Sequence, residues 1–184
     1  PDLQVTAQQL NEEAFKRASV FNCCSGTMFH PTALETTRTA VEMAKRNGAL
    51  IAIDANIRPL RWSSEKYCRE TIASFFQDAN ILKLTDEELF FLTETNSIEA
   101  GLEVLKNLNV PIVLVTVGAD GAYAVLNGEA LHVPVEQVVP VDTTGAGDAF
   151  MAGVLRYVHY NGLPTTKESL FDCVSFGNKL GALA

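Results

Sequence analysis

The sequence predicts an α/β fold built on a mostly parallel sheet with helices on both faces. Three observations lead there. Short apolar runs stand at 20–24, 50–53, 81–84 and 112–116, the last strongly β-branched, of strand length and too short for helices. Longer stretches between them carry helical spacing with start and stop signals. Strand–helix–strand order asks for right-handed crossovers, and apolar runs without alternation fit strands covered on both faces.

The elements follow in order. Asn11-Glu12-Glu13 caps a short helix through Ala18. Residues 20–24 form a strand, and Ser25-Gly26 turns out of its end. Adjacent Cys23 and Cys24 lie in this apolar run and read as small buried hydrophobes. Pro31 opens a helix that runs to about Asn47, with Gly48 as its stop. The strand at 50–53 ends in Asp54, Asn56 and Arg58, three polar residues at the carboxyl edge where open α/β sheets bind ligands. They also suit a solvated loop, since Asn and Asp make local turns. Trp62 reads as core packing. Residues 64–76 are helical, 81–84 a strand, and Thr85-Asp86-Glu87-Glu88 has the form of a capping box. A helix at 98–108 precedes the strand at 112–116. Asn127-Gly128 marks a hairpin between 122–126 and 130–133. Residues 138–141 lead into a glycine-rich turn and another helix. Asn161-Gly162-Leu163-Pro164 breaks it, and a last helix starts near Thr166.

Composition bounds the function. The chain has 184 residues, 47% hydrophobic and 20% charged, which suits a globular domain. No repeat, low-complexity block or linker divides residues 1–184, which read as one domain. A net charge of −8 argues against a nucleic-acid partner, which needs clustered Lys and Arg. No run of about 18 apolar residues predicts a membrane span, and no signal-peptide pattern opens the chain. The start at Pro1, without Met, predicts that the natural N-terminus lies upstream. The four cysteines form no Cys-x-x-Cys pair, so structural zinc is not expected. A reducing cytoplasm fits.

The chemistry concentrates at 141–150, Val-Asp-Thr-Thr-Gly-Ala-Gly-Asp-Ala-Phe. Two glycines one residue apart precede an apolar helix. Unpaired N–H groups and the positive end of the helix dipole make such a turn an anion site, with phosphate the usual anion. Asp148 then lies in the first helical turn. There it either caps the helix or takes a proton from a hydroxyl attacking a bound phosphoryl group.

The string Asp142-Thr143-Thr144-Gly145-Ala146-Gly147-Asp148-Ala149-Phe150 resembles the C-terminal signature of the ribokinase-like (PfkB) carbohydrate kinases. The resemblance implies that Gly145, Ala146 and Gly147 form an anion hole and that Asp148 is the catalytic base. Asp54-x-Asn56-x-Arg58-x-x-x-Trp62 resembles the fructokinase and 2-keto-3-deoxygluconate kinase branches, where the Arg neutralises phosphate charge. Arg58 inherits that role, to which its planar fork is suited. Glu88 stands where the family has a Glu that holds Mg²⁺ through water, with Thr85 in place of the usual Asn. Thr116, Gly118 and Gly121 match a Thr-x-Gly-x-x-Gly nucleotide segment, and Asn178 a helix beside the adenine. Asp142 and Thr144 match a monovalent-cation site.

ATP, Mg²⁺ and K⁺ are the implied cofactors. The implied activity is phosphorylation of a sugar hydroxyl, with fructose first. A 2-keto-3-deoxygluconate kinase, a riboside kinase, and a non-catalytic nucleotide-binding or interaction fragment are the alternatives. The resemblance covers the C-terminal portion of the family fold. The sugar-contacting glycines and small β-sheet lid of its N-terminal portion are not visible. A sheet lacking those neighbours would expose an apolar edge strand and favour a homo-oligomer.

Overall fold

The structure, a computed structural model, describes residues 2–135 and 143–184. Among these residues six strands form one sheet in the order β1 (Val20–Cys24), β2 (Leu50–Asp54), β3 (Ile81–Thr85), β4 (Ile112–Thr116), β5 (Ala122–Leu126), β6 (Glu129–Val133). The first four run parallel; β5 and β6 add antiparallel strands. The helices are α1 (Glu12–Arg17), α2 (Pro31–Arg46), α3 (Glu65–Ala73), α4 (Asp86–Thr93), α5 (Ile98–Leu105), α6 (Ala146–Asn161) and α7 (Lys167–Leu183). Among the described residues no helix is long and apolar enough to cross a membrane. Residues 138–141, which lead into the glycine-rich turn, lie outside the described residues.

Successive strand residues point to opposite faces, and both faces are covered. Ile51, Ile53, Leu82, Leu84, Val113 and Val115 join the cluster that contains Val41, Ala44, Cys68, Ile72, Leu89 and Leu102. Ala52, Ile81, Ile112, Leu114 and Ala124 join Phe150, Val154, Val158, Leu170 and Val174 of α6 and α7. The helix ends follow their local signals. Asn11 accepts the Glu13 N–H at 3.0 Å, Ser64 accepts the Tyr67 N–H at 3.1 Å, and Ser97 accepts the Ala100 N–H at 3.2 Å.

The strand at 20–24 departs from expectation. Among the described residues it is the edge of the sheet, and Asn22 and Cys24 are exposed. Cys23 and Cys24 are therefore not a pair of buried hydrophobes. Cys23 is half covered, and burial, aided by neighbouring Cys24, pushes its thiol up to about 12. A strand with a neighbour on one side only cannot be sealed as a central one is.

Helices α6 and α7 pack with their backbones almost touching. A Cβ on Gly153 would stand 2.9 Å from the Gly177 Cα, and one on Gly177 would meet the Phe150 ring at 3.0 Å. A Cβ on Gly181 would meet the Ala146 carbonyl at 3.1 Å, so α7 braces the first turn of α6. Gly153→Val is therefore expected to lower the unfolding free energy by about 1–3 kcal/mol, the usual cost of overpacking, read from urea unfolding. An unchanged midpoint would mean that the helices are free to separate.

Candidate phosphate site at the start of α6

The parallel strands β2, β3 and β4 end on one edge, and their exits build the site. Register places Asp54 beside Lys83, both on the α6 side, in phase with Ala52 and Ile81. Both side chains are about 5% exposed. Lys83 Nζ donates to the two Asp54 oxygens at 3.1 and 3.3 Å. Burial pushes the Asp54 carboxyl above the ordinary carboxylate range. The Lys83 ammonium pulls it back, and the negative charges of Glu88 and Asp148 push it up further.

Beyond Asp54 the chain turns sharply. The Ala55 N–H donates to the Lys83 carbonyl at 2.9 Å. Buried Ser25 donates its hydroxyl to the Ala55 carbonyl. Asn56 takes φ +37°, a left-handed conformation that Asn tolerates better than most residues. Glu88 then locks the loop to β3. Its Oε1 accepts the Ile57 N–H at 2.6 Å and its Oε2 the Thr85 N–H at 2.9 Å. Thr85 Oγ1 accepts the Glu88 N–H at 3.2 Å, completing the capping box. Arg58 projects from this loop, exposed, with its guanidinium 3.3 Å from the Ile57 carbonyl.

Gly145 caps α6 with φ +88°, which a residue with a side chain rarely adopts. The helical ladder starts where the Ala149 N–H donates to the Gly145 carbonyl at 2.8 Å. The N–H groups of Ala146, Gly147 and Asp148 precede it, and that of Ala146 bends back to the Thr143 carbonyl at 3.2 Å. Gly147 is helical rather than left-handed, so what it needs is space. A Cβ there would stand 3.2 Å from Lys83 Nζ. Asp148 is exposed in the first turn, and among the described residues no hydrogen bond engages its carboxylate. Thr144 is exposed in the preceding turn, and Asp142 lies outside the described residues.

The expected nucleotide residues lie farther along the sheet. Thr116 closes β4, with its hydroxyl 3.3 Å from the Leu84 carbonyl. Gly118 (φ +58°) is exposed. Gly121 (φ +90°) is pressed so closely on the end of β6 that a Cβ would stand 2.3 Å from the Val133 carbonyl. Asn178 is buried, and its Nδ2 donates to that same carbonyl at 2.9 Å. Gly121 and Asn178 thus meet at one point. Beside them α7 borders a cleft of about 520 Å³, lined in part by Pro134, Tyr157, Phe176 and Asn178. The structure therefore brings Arg58, Glu88 and Asp148 to the strand exits around Asp54, and sets Asn178 apart with Gly121. Sequence reading missed Lys83. A lysine inside the apolar run Ile81-Leu82-Lys83-Leu84 was the available signal, because lysine is almost never fully buried unless paired.

A left-handed glycine turn at a helix start, with an exposed carboxylate in the first turn, is the arrangement of an anion site in an α/β fold. The pfkB family carbohydrate kinase profile matches residues 2–184, and the chain belongs to that family. It is 33% identical over 185 residues to a fructokinase of Klebsiella pneumoniae, covering 100% of this chain and 60% of that protein. The fructokinase of Vibrio cholerae O395, crystallised with fructose, ADP and calcium, superposes with a TM-score of 0.86 at 32% identity. It covers 95% of this chain and 58% of its own. The aminoimidazole riboside kinase of Salmonella enterica, complexed with aminoimidazole riboside and an ATP analog, gives a TM-score of 0.89 at 27% identity, over 99% and 60% of the two chains. The chain thus spans about three fifths of these proteins.

Glu88 offers a direct test of the loop. Its removal strips two backbone N–H groups of a charged acceptor and the helix of its capping box. Glu88→Ala is expected to cost about 2–5 kcal/mol of stability, measured by denaturant unfolding. A loss of a few tenths would show that the loop stands without it.

Proposed function

We propose that the whole protein to which this chain belongs transfers the terminal phosphoryl group of ATP to a sugar hydroxyl, with fructose as the first candidate acceptor. The carrying observation is the Asp148 carboxylate, exposed in the first turn of α6 and, among the described residues, without a hydrogen bond. A capping carboxylate would be tied to backbone N–H groups, as Glu88 is. A base must be within reach of a hydroxyl. The fructokinase relatives support fructose. Close superposition of the riboside kinase favours a riboside as the second reading.

In this reading, the first N–H groups of α6, at Gly145, Ala146 and Gly147, face the transferring group and stabilise its growing charge. Ala146 exchanges its long bond to Thr143 for one to phosphate. Arg58 adds a planar pair of donors from the opposite loop. Asp148 takes the acceptor proton. Thr116, Gly118 and Gly121 flank the nucleotide, and Asn178 secures the β6 exit on the adenine side. Mg²⁺ fits Glu88, because each of its oxygens keeps a lone pair after one backbone bond. When bound, the ion would neutralise phosphate charge. Thr144 would supply one oxygen to a K⁺ site. Residues 1–184 are one domain in this account, the C-terminal portion of a ribokinase-like kinase.

In the whole protein, Asp148→Asn is expected to lower kcat by about 10²–10⁴-fold, the typical contribution of a general base, with ATP affinity little changed. Fructose-dependent ADP release measures it, with aminoimidazole riboside and 2-keto-3-deoxygluconate as rival acceptors. An Asn variant with near-full kcat would make Asp148 a structural residue. A protein that binds ATP and phosphorylates none of the three sugars would be a nucleotide-binding module.

A further inference from the structure

A buried lysine needs a reason. Pairing a buried Lys with a buried Asp often stabilises a fold no more than two apolar side chains of the same volume would. Around Lys83 such residues are the rule: Ile81, Leu82 and Leu84 of the same strand are fully buried. The pair is also the last of the β2–β3 ladder. Above it lies Gly147, in the first turn of α6, although glycine is a poor helix former. A Cβ on Gly147 would crowd Lys83 Nζ at 3.2 Å. Lysine and glycine are fitted to each other, and the contact lies in the turn that faces the phosphoryl group.

We propose that Lys83 is a positioning residue for phosphoryl transfer: held by Asp54, its ammonium seats the Gly147 turn and lends it positive charge. The proposal rests on the phosphoryl-transfer reading above. The fields of Asp54, Glu88 and Asp148 overlap at this point. A phosphate arriving there feels the field of three carboxylates, of which Asp54 is buried against Lys83. The Lys83 ammonium, on the Gly147 side of Asp54, turns the buried pair into a dipole whose positive end meets the turn. That dipole adds to the positive end of the helix.

Lys83→Met alone would strand the Asp54 charge and could unfold the chain, a change worth several kcal/mol in other buried pairs. The double variant Asp54→Asn/Lys83→Met removes both charges and keeps the volumes. Calorimetric titration with MgATP and, separately, with adenosine is carried out on the whole protein and on this variant of it, with thermal unfolding of both. The expected result is an unchanged Tm, adenosine affinity as in the wild type, and MgATP affinity lower by about tenfold, the size of one charge-assisted contact. Equal MgATP affinity in both proteins overturns the proposal and leaves the phosphoryl-transfer reading standing. Loss of MgATP and adenosine together, with a lowered Tm, overturns it too, since the pair would then serve the fold alone. A wild-type protein that binds adenosine as well as MgATP overturns both the proposal and the reading beneath it.

Discussion

Helix α6 comes so near the sheet that no side chain fits at Gly147 without pressing on Lys83, and so near α7 that none fits at Gly153. Close-packed interiors transmit such contacts with little give. The seat of α6 therefore fixes where its first N–H groups stand. Those groups, the Asp148 carboxylate and the exits of β2 and β3 share one small volume for that reason. The buried pair below and the glycine contacts of α7 beside it hold the helix from two directions.

The second constraint is the carboxylate of Glu88. One side chain accepts N–H groups from two segments, the loop after β2 and the start of α4. It joins the loop that carries Arg58 to the strand that carries Lys83. The capping box is thus a structural clamp, and its position also sets the distance between Arg58 and the helix start. Structural and functional readings of Glu88 are compatible, because a carboxylate has more acceptor sites than the clamp consumes.

Much of this was legible in the sequence. Parallel strands and the hairpin at Asn127-Gly128 followed from local pattern, because buried parallel strands and tight turns leave strong compositional marks. The capping box at Thr85 was read directly. The edge position of β1 was not, since a strand's composition says little about whether both sides are paired. Cys24 was misjudged with it. Gly147 is helical, and its close neighbour is the Lys83 ammonium. That neighbour, Lys83, is 64 positions earlier in the chain. Only register, which sets Asp54 beside Lys83, and the approach of α6 bring them together, and local pattern carries neither.

The central claim is that the glycine turn of α6, seated on Lys83, is where phosphate binds. Titrating the ¹⁵N-labelled chain with MgATP and following each backbone amide by NMR tests it most directly. The account predicts that the largest shifts fall on Gly145, Ala146, Gly147 and Asp148, with smaller ones on Arg58 and Lys83. Saturable shifts confined to other parts of the chain, with the amides of 145–148 unmoved, would contradict it.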